Sequence, residues 1–209
     1  MAPNVAALVR LMLVTDDRLV AGRDLIALAR EAEAGGATSV QLRLKAAPAR
    51  DQVALARALV AALHIPLLIN DRPDIALAAG AAGVHLGADD LPVHLVRPIV
   101  HEDFVIGASV GSAEEAAVAA GADYWGIGPW RQTGTKADAG TALGAAGFAA
   151  LVRLGRGRPC LAIGGVLPGD MDAIVGAGGM GAAAASGILA SDDVRAAATA
   201  YAAALARSS

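Results

Sequence analysis

Eight short apolar runs, at residues 11–15, 39–44, 66–70, 83–87, 105–110, 124–128, 160–164 and 182–186, recur along this chain. Longer alanine-rich segments with helical spacing separate them, for example 24–34, 51–63, 113–120 and 145–154. Runs of that length are too short for helices and suit strands buried on both faces, and strand alternating with helix means βαβ units and a parallel sheet. Glycines at Gly35-Gly36, Gly80, Gly121 and Gly155 stand where helices close before the next strand. Eight units favour closure into a (β/α)8 TIM barrel, an α/β fold, over an open doubly wound sheet. The 209 residues form one barrel domain over 1–209, short beside the usual length of about 250, so the loops must be economical. The eighth run, alanine-rich up to Ser186, has poor β propensity and is a strand only by its place in the order.

Apolar residues make up 56% of the chain and charged residues 18%, enough to bury a large core. The net charge of −3 offers no general attraction to nucleic acid or anionic lipid. Any phosphate must therefore be held by a few placed groups. The opening MAPNVAALVRLMLVT has no basic region before its apolar stretch and reads as a start followed by a first strand, not a signal peptide. No segment is apolar enough to span a membrane. A cytoplasmic enzyme of small molecules, with no nucleic-acid or membrane partner, is the expectation. The one cysteine, Cys160, excludes an intrachain disulfide and reads as a small buried side chain.

In a barrel of this kind, chemistry gathers at the C-terminal ends of the strands. The second run continues Gln41-Leu42-Arg43-Leu44-Lys45, and period-two alternation puts Gln41, Arg43 and Lys45 on one face. Two cations converging on the mouth call for an anionic partner, which a phosphorylated substrate supplies. The third run ends in Asn70-Asp71-Arg72 and the fourth in Gly87-Ala88-Asp89-Asp90. These ends are neighbours, so their carboxylates can meet; a divalent cation relieves the repulsion, and oxygen ligands alone point to Mg²⁺. One of Asp89 and Asp90 is expected to cap the following helix and the other to see metal. After the sixth strand, Gln132-Thr133-Gly134-Thr135-Lys136 offers hydroxyls, backbone N–H groups and an ammonium to phosphate. Gly164-Gly165 and Ala185-Ser186-Gly187, after the last two strands, allow close backbone approach at the usual phosphate end of this fold. His64, His94 and His101 read as surface residues, His85 as a core histidine with a satisfied hydrogen bond. Trp130 reads either as a wall of the site or as packing under a loop.

Taken together, QLRLK, INDRPDIAL, GVHLGADDLP, IGASV, GADYWGIGP, TGTK and IGGV resemble, in order, the motifs of the thiamine-phosphate synthase family. That family joins an aminopyrimidine methyl diphosphate to a thiazole phosphate and releases pyrophosphate. By position, the resemblance implies Asp71 and Asp90 as Mg²⁺ ligands. It implies Gln41, Arg43, Lys45, Asn70, Ser109 and Lys136 at the pyrimidine diphosphate, with Arg43, Lys45 and Lys136 neutralising the leaving group. It implies Thr133, Thr135, Gly165, Ala185 and Ser186 at the thiazole phosphate, and a homodimer. The chain departs from the family pattern at Leu44, where an acidic residue is frequent, at Trp130-Arg131-Gln132, and in the last strand, where valines are expected. The rivals are a thiazole tautomerase of the same fold, another phosphate-binding barrel, and a barrel that binds the phosphate ligand without turnover. A tautomerase places a histidine just after the fifth strand, where this chain has glycine.

Overall fold

The computed structural model describes residues 4–132 and 141–208. Strands β1 (Leu11–Val14), β2 (Ser39–Leu42), β3 (Leu67–Asn70), β4 (Gly83–Leu86), β5 (Val105–Val110), β6 (Tyr124–Ile127), β7 (Cys160–Ala162) and β8 (Gly181–Ala184) pair in parallel, each with the next, and β8 returns to β1. The result is the closed barrel expected from the eight runs. Around it lie α1 (Val5–Leu8), α2 (Leu25–Ala34), α3 (Ala49–Ala62), α4 (Pro73–Ala79), α5 (Val93–Val96), α6 (Ala113–Val118), α7 (Gly144–Leu154), α8 (Met171–Gly176), α9 (Ser186–Leu189) and α10 (Val194–Ser208), with short 3₁₀ turns at Arg97–Ile99, Ala119–Gly121 and Pro168–Asp170. Among the described residues, no helix is long and apolar enough to cross a membrane.

Each strand divides its side chains between two apolar compartments, as a two-residue period requires. Leu13, Val40, Leu42, Ile69, Val84 and Ile106 face outward into the layer shared with the helices. Met12, Val14, Leu68, Val105, Tyr124, Leu161 and Ala183 fill the barrel interior. The helices begin and end as their sequences direct. The Asp24 carboxylate accepts the Ile26 and Ala27 N–H groups at the start of α2, and Gly80 closes α4 in the left-handed conformation.

The start of the chain differs from the simple entry into a strand that the sequence suggested. Asn4 caps the short helix α1, and Leu8 and Val9, both fully buried, plug the barrel's N-terminal opening. Thr38 and Ser39 fix the plug by donating their hydroxyls to the Leu8 carbonyl at 3.0 and 2.8 Å. The glycine that opens the eighth strand has a packing reason. A Cβ on Gly181 would lie 2.0 Å from the Arg10 carbonyl oxygen, so β8 closes the ring where the chain before β1 leaves no space.

Candidate active site at the strand ends

The loop after β1 organises the mouth beside β2. Thr15 Oγ1 accepts the Arg43 N–H at 2.7 Å and donates to the Arg43 carbonyl at 3.1 Å. The Asp16 carboxylate meets the Arg43 guanidinium at 3.3 Å, and Asp17 accepts the Lys45 N–H at 2.9 Å. Lys45 Nζ lies 3.4 Å from Asp71 Oδ2. Both cations therefore have carboxylate partners inside the protein, Asp16 and Asp71, where the sequence pointed to an anionic substrate. Thr15, Asp16 and Asp17 hold candidate site residues and were passed over by sequence reasoning; two acidic residues shortly after a barrel strand were the available signal. Gln41 sits lower than the other two: it is 2% exposed, with its amide 3.4 Å from Met12 Sδ inside the barrel.

Asp71 follows β3 in the left-handed region, at φ 64°. A non-glycine residue held there is uncommon, although aspartate tolerates it better than most. Its N–H donates to the His85 carbonyl at 2.8 Å, which fixes the turn against β4. Asp90 folds back so that its Oδ2 accepts the Gly87 N–H at 2.6 Å. Neither Asp89 nor Asp90 caps the next helix, contrary to expectation: Pro92 stands at the N-cap of α5 with no side-chain cap, and Asp89 is exposed. Proline fixes its own φ, so it can open the helix unaided. Asp71 and Asp90 do meet. Burial, and then the hydrogen bond between the two carboxyls, push Asp90 up to about 6, against the opposing pull of the Gly87 N–H and Lys45. Two carboxyls forced together beside one ammonium are a donor set that Mg²⁺ fits, since that ion takes one or two carboxylates and leaves its other positions to water and phosphate. Among the described residues, no cluster of three or more metal-ligating side chains exists.

Ser109, on β5, stands 3.0 Å from His85 Nε2, and it shares with Asp90 a cleft also lined by Gly87 and Glu115. His85 Nδ1 lies 2.9 Å from the Tyr124 hydroxyl, so the histidine is the satisfied core residue its sequence position suggested. Asn70 ends β3 half-buried, in register with His85. His64, His94 and His101 are exposed.

At the opposite side of the mouth, Gly164 and Gly165 follow β7 with φ of 89° and 69°. Arg131 holds this turn. Its N–H donates to the Gly164 carbonyl at 2.9 Å, its guanidinium to the Gly165 carbonyl at 3.0 Å, and both guanidinium NH groups to Asp170. Ala185 precedes α9 and Ser186 begins it, exposed beside the barrel mouth. Trp130 packs edge-on against Phe148 and is 6% exposed, which makes it core under the loop and not a wall of the site. Thr133, Thr135 and Lys136 lie outside the described residues.

The sequence profile of the thiamine monophosphate synthase family matches residues 11–188. A thiamine-phosphate synthase of Azorhizobium caulinodans is 48% identical over 189 residues, covering 88% of this chain and 89% of that protein. One from Xanthobacter autotrophicus is 48% identical over 200 residues, covering 93% and 94%. Among solved structures, a thiamine phosphate pyrophosphorylase from Pyrococcus furiosus superposes with a TM-score of 0.86 at 32% identity over 98% of each chain. With the barrel, the ordered motifs and these relatives in agreement, the chain belongs to the thiamine monophosphate synthase family.

Proposed function

We propose that this protein is a thiamine-phosphate synthase that joins an aminopyrimidine methyl diphosphate to a thiazole phosphate by a dissociative route assisted by Mg²⁺. The observation that carries the reading is the Asp71–Asp90 pair beside Lys45, with Arg43 on the neighbouring strand end. In the first step the bond between the pyrimidine methylene carbon and the diphosphate oxygen breaks, and its electron pair leaves with pyrophosphate. In the second, the thiazole nitrogen donates its lone pair to the pyrimidine-methyl cation and forms the C–N bond. No protein nucleophile is needed. Bound by Asp71 and Asp90, Mg²⁺ would supply positive charge to the departing oxygens.

Arg43 and Lys45 are held in place before substrate arrives, by Asp16 and Asp71, and that preorganisation is the source of their effect. An exchange of partner, from aspartate to diphosphate, costs less than orienting two long side chains from solvent. Gln41 and Asn70 present amides to the pyrimidine from within the barrel, where donor and acceptor positions are fixed by packing. On the other side, the Gly164-Gly165 turn and the residues Ala185 and Ser186 receive the thiazole phosphate; Thr133, Thr135 and Lys136 complete it in this reading. The histidine a tautomerase would need is replaced by Gly111, whose N–H is taken by Glu115 at 2.6 Å.

The test is direct. Purified protein, both substrates and Mg²⁺ should give thiamine phosphate and pyrophosphate in equal amounts. Asp71→Ala should lower the rate by about 100-fold or more, on the scale of about 3–4 kcal/mol of lost electrostatic stabilisation. Folded protein that forms neither product from intact substrates would refute the proposal.

A further inference from the structure

Three strands place a polar row across the barrel interior. His85 on β4 is in register with Gly107 on β5, and Gly107 with Tyr124 on β6. The glycine between the two rings is a notch: a Cβ there would lie 2.1 Å from Tyr124 Cζ and 2.4 Å from its hydroxyl oxygen. Gly126, in register with Ser109, makes a second notch, where a Cβ would lie 3.0 Å from His85 Cε1. The missing side chains let the two rings approach, tilted, with centroids 5.5 Å apart. One row higher on β5, Ser109 reaches His85 Nε2.

The protons in this row have one consistent arrangement. Tyr124 is fully buried, and His85 Nδ1 is the one hydrogen-bond partner of its hydroxyl among the described residues. Burial, with Asp123 nearby, pushes the phenol far above its ordinary pKa, so it keeps its proton. Were Nδ1 to carry a proton and donate it, the phenol proton would be left in the core with no acceptor, at the full cost of desolvating it. Tyr124 must therefore donate to Nδ1, and the imidazole proton sits on Nε2. Nε2–H then donates to Ser109 Oγ, which occupies one lone pair of the serine and denies its proton that direction. The proton is left to point at the half-buried side of Ser109, toward the cleft shared with Asp90.

We infer that His85 and Tyr124 are positioning residues that set Ser109 as a hydrogen-bond donor facing the substrate. The inference rests on the proposed synthase reading for what that donor meets, an oxygen of the departing diphosphate. It does not need that reading for the proton arrangement itself.

Long-range proton–nitrogen NMR of the full protein labelled with ¹⁵N-histidine reads the tautomer directly, with His85→Gln identifying the signal. The expected result is a neutral His85 protonated at Nε2; a proton on Nδ1, or on both nitrogens, overturns the inference whether or not the protein turns over. Kinetics then test the path through the serine. His85→Leu should lower kcat about tenfold, the worth of one aligned hydrogen bond to a charged group. His85→Gln, which can still donate, should recover most of that loss. Made on a Ser109→Ala background, His85→Leu should cost nothing further; additive losses would show that His85 acts otherwise. If the tautomer is as expected and the wild-type protein forms no product, the synthase reading fails and the proton arrangement stands.

Discussion

Asp170→Ala tests how the glycine turn after β7 is held. Asp170 is 8% exposed, and its carboxylate accepts both guanidinium NH groups of Arg131 together with the Leu167 N–H at 2.7 Å. Removing it strands the Leu167 N–H, worth about 1–2 kcal/mol. The Arg131 side chain is 45% exposed and can turn to water, so the lost ion pair adds only about 1 kcal/mol. The sum, about 2–3 kcal/mol, should lower Tm by roughly 5–10 °C in a domain of this size. Burial alone would raise the Asp170 pKa, but the hydrogen bonds from Arg131 and Leu167 outweigh it and hold the carboxyl below its usual range. A depressed folded-state pKa contributes stability above the unfolded value, about 3.9, and that contribution is lost as pH falls through the folded value. The gap in Tm between wild type and variant should thus be constant from about pH 8 to 5 and narrow below about pH 4. Thermal melts across that range measure it. An equal gap at about pH 3 and 7, or no gap at neutral pH, would sink the reasoning. On the proposed assignment, loosening the Arg131 guanidinium from Gly165 should also raise KM for the thiazole phosphate and leave KM for the diphosphate nearly unchanged.

Three other perturbations separate the parts of the structure. Gly107→Ala drives a methyl into the Tyr124 ring and should cost about 1–3 kcal/mol by denaturant unfolding; an unchanged midpoint would mean the notch is not tight. Lys45→Met should reduce kcat/KM by about 100-fold in steady-state assays, because the charge beside Asp71 is removed. Its Tm should shift little, as the side chain is 56% exposed; a large fall in stability would assign Lys45 to the scaffold. Burial pushes the Cys160 thiol up to about 11, with Arg158 opposing more weakly, so native protein should resist a thiol-specific reagent and react on unfolding. Rapid labelling of folded protein would contradict that.

Strand order was legible because short apolar runs separated by helical spacing admit few other parallel arrangements, whereas the ends of β2, β7 and β8 fall about two residues before the runs end, and Ser186 opens α9. Even the eighth strand, against its propensity, followed from the count of units. The plug α1 was missed, although Asn4 before an apolar turn is a capping signal, because four residues are too few to establish a helical period. The carboxylates that meet, Asp71 and Asp90, were legible as neighbours on adjacent strand ends. Their detail was not: the left-handed backbone at Asp71 and the return of Asp90 to the Gly87 N–H depend on loop conformation, which residue type barely restricts. The Arg131–Asp170 clamp joins residues on separate loops, and nothing in either local sequence announces the other. Cross-barrel contacts such as His85–Tyr124 become readable only once register is known, since register decides which inward residues share a layer.

Register also accounts for where this chain can depart from its family's pattern. Beside β2, β3 and β4 the proposed site is made of side chains: Arg43, Lys45, Asp71 and Asp90, each fixed by a partner through its functional atoms. On the proposed assignment, a substitution there removes the chemistry itself. Beside β7 and β8 the described protein offers main chain, in the paired left-handed glycines and the turn into α9 at Ala185 and Ser186. Such a surface asks of its neighbours only that they leave room and hold the backbone still. Alanines in β8 leave room, since Ala182, Ala183 and Ala184 are all buried where the ring closes on β1. Arg131, one of the departing residues, holds the backbone still through Gly164, Gly165 and Asp170. The departures at Arg131 and in β8 therefore fall where the proposed site draws on backbone atoms, while Gly164 and Gly165, which supply that backbone, keep the family's IGGV motif.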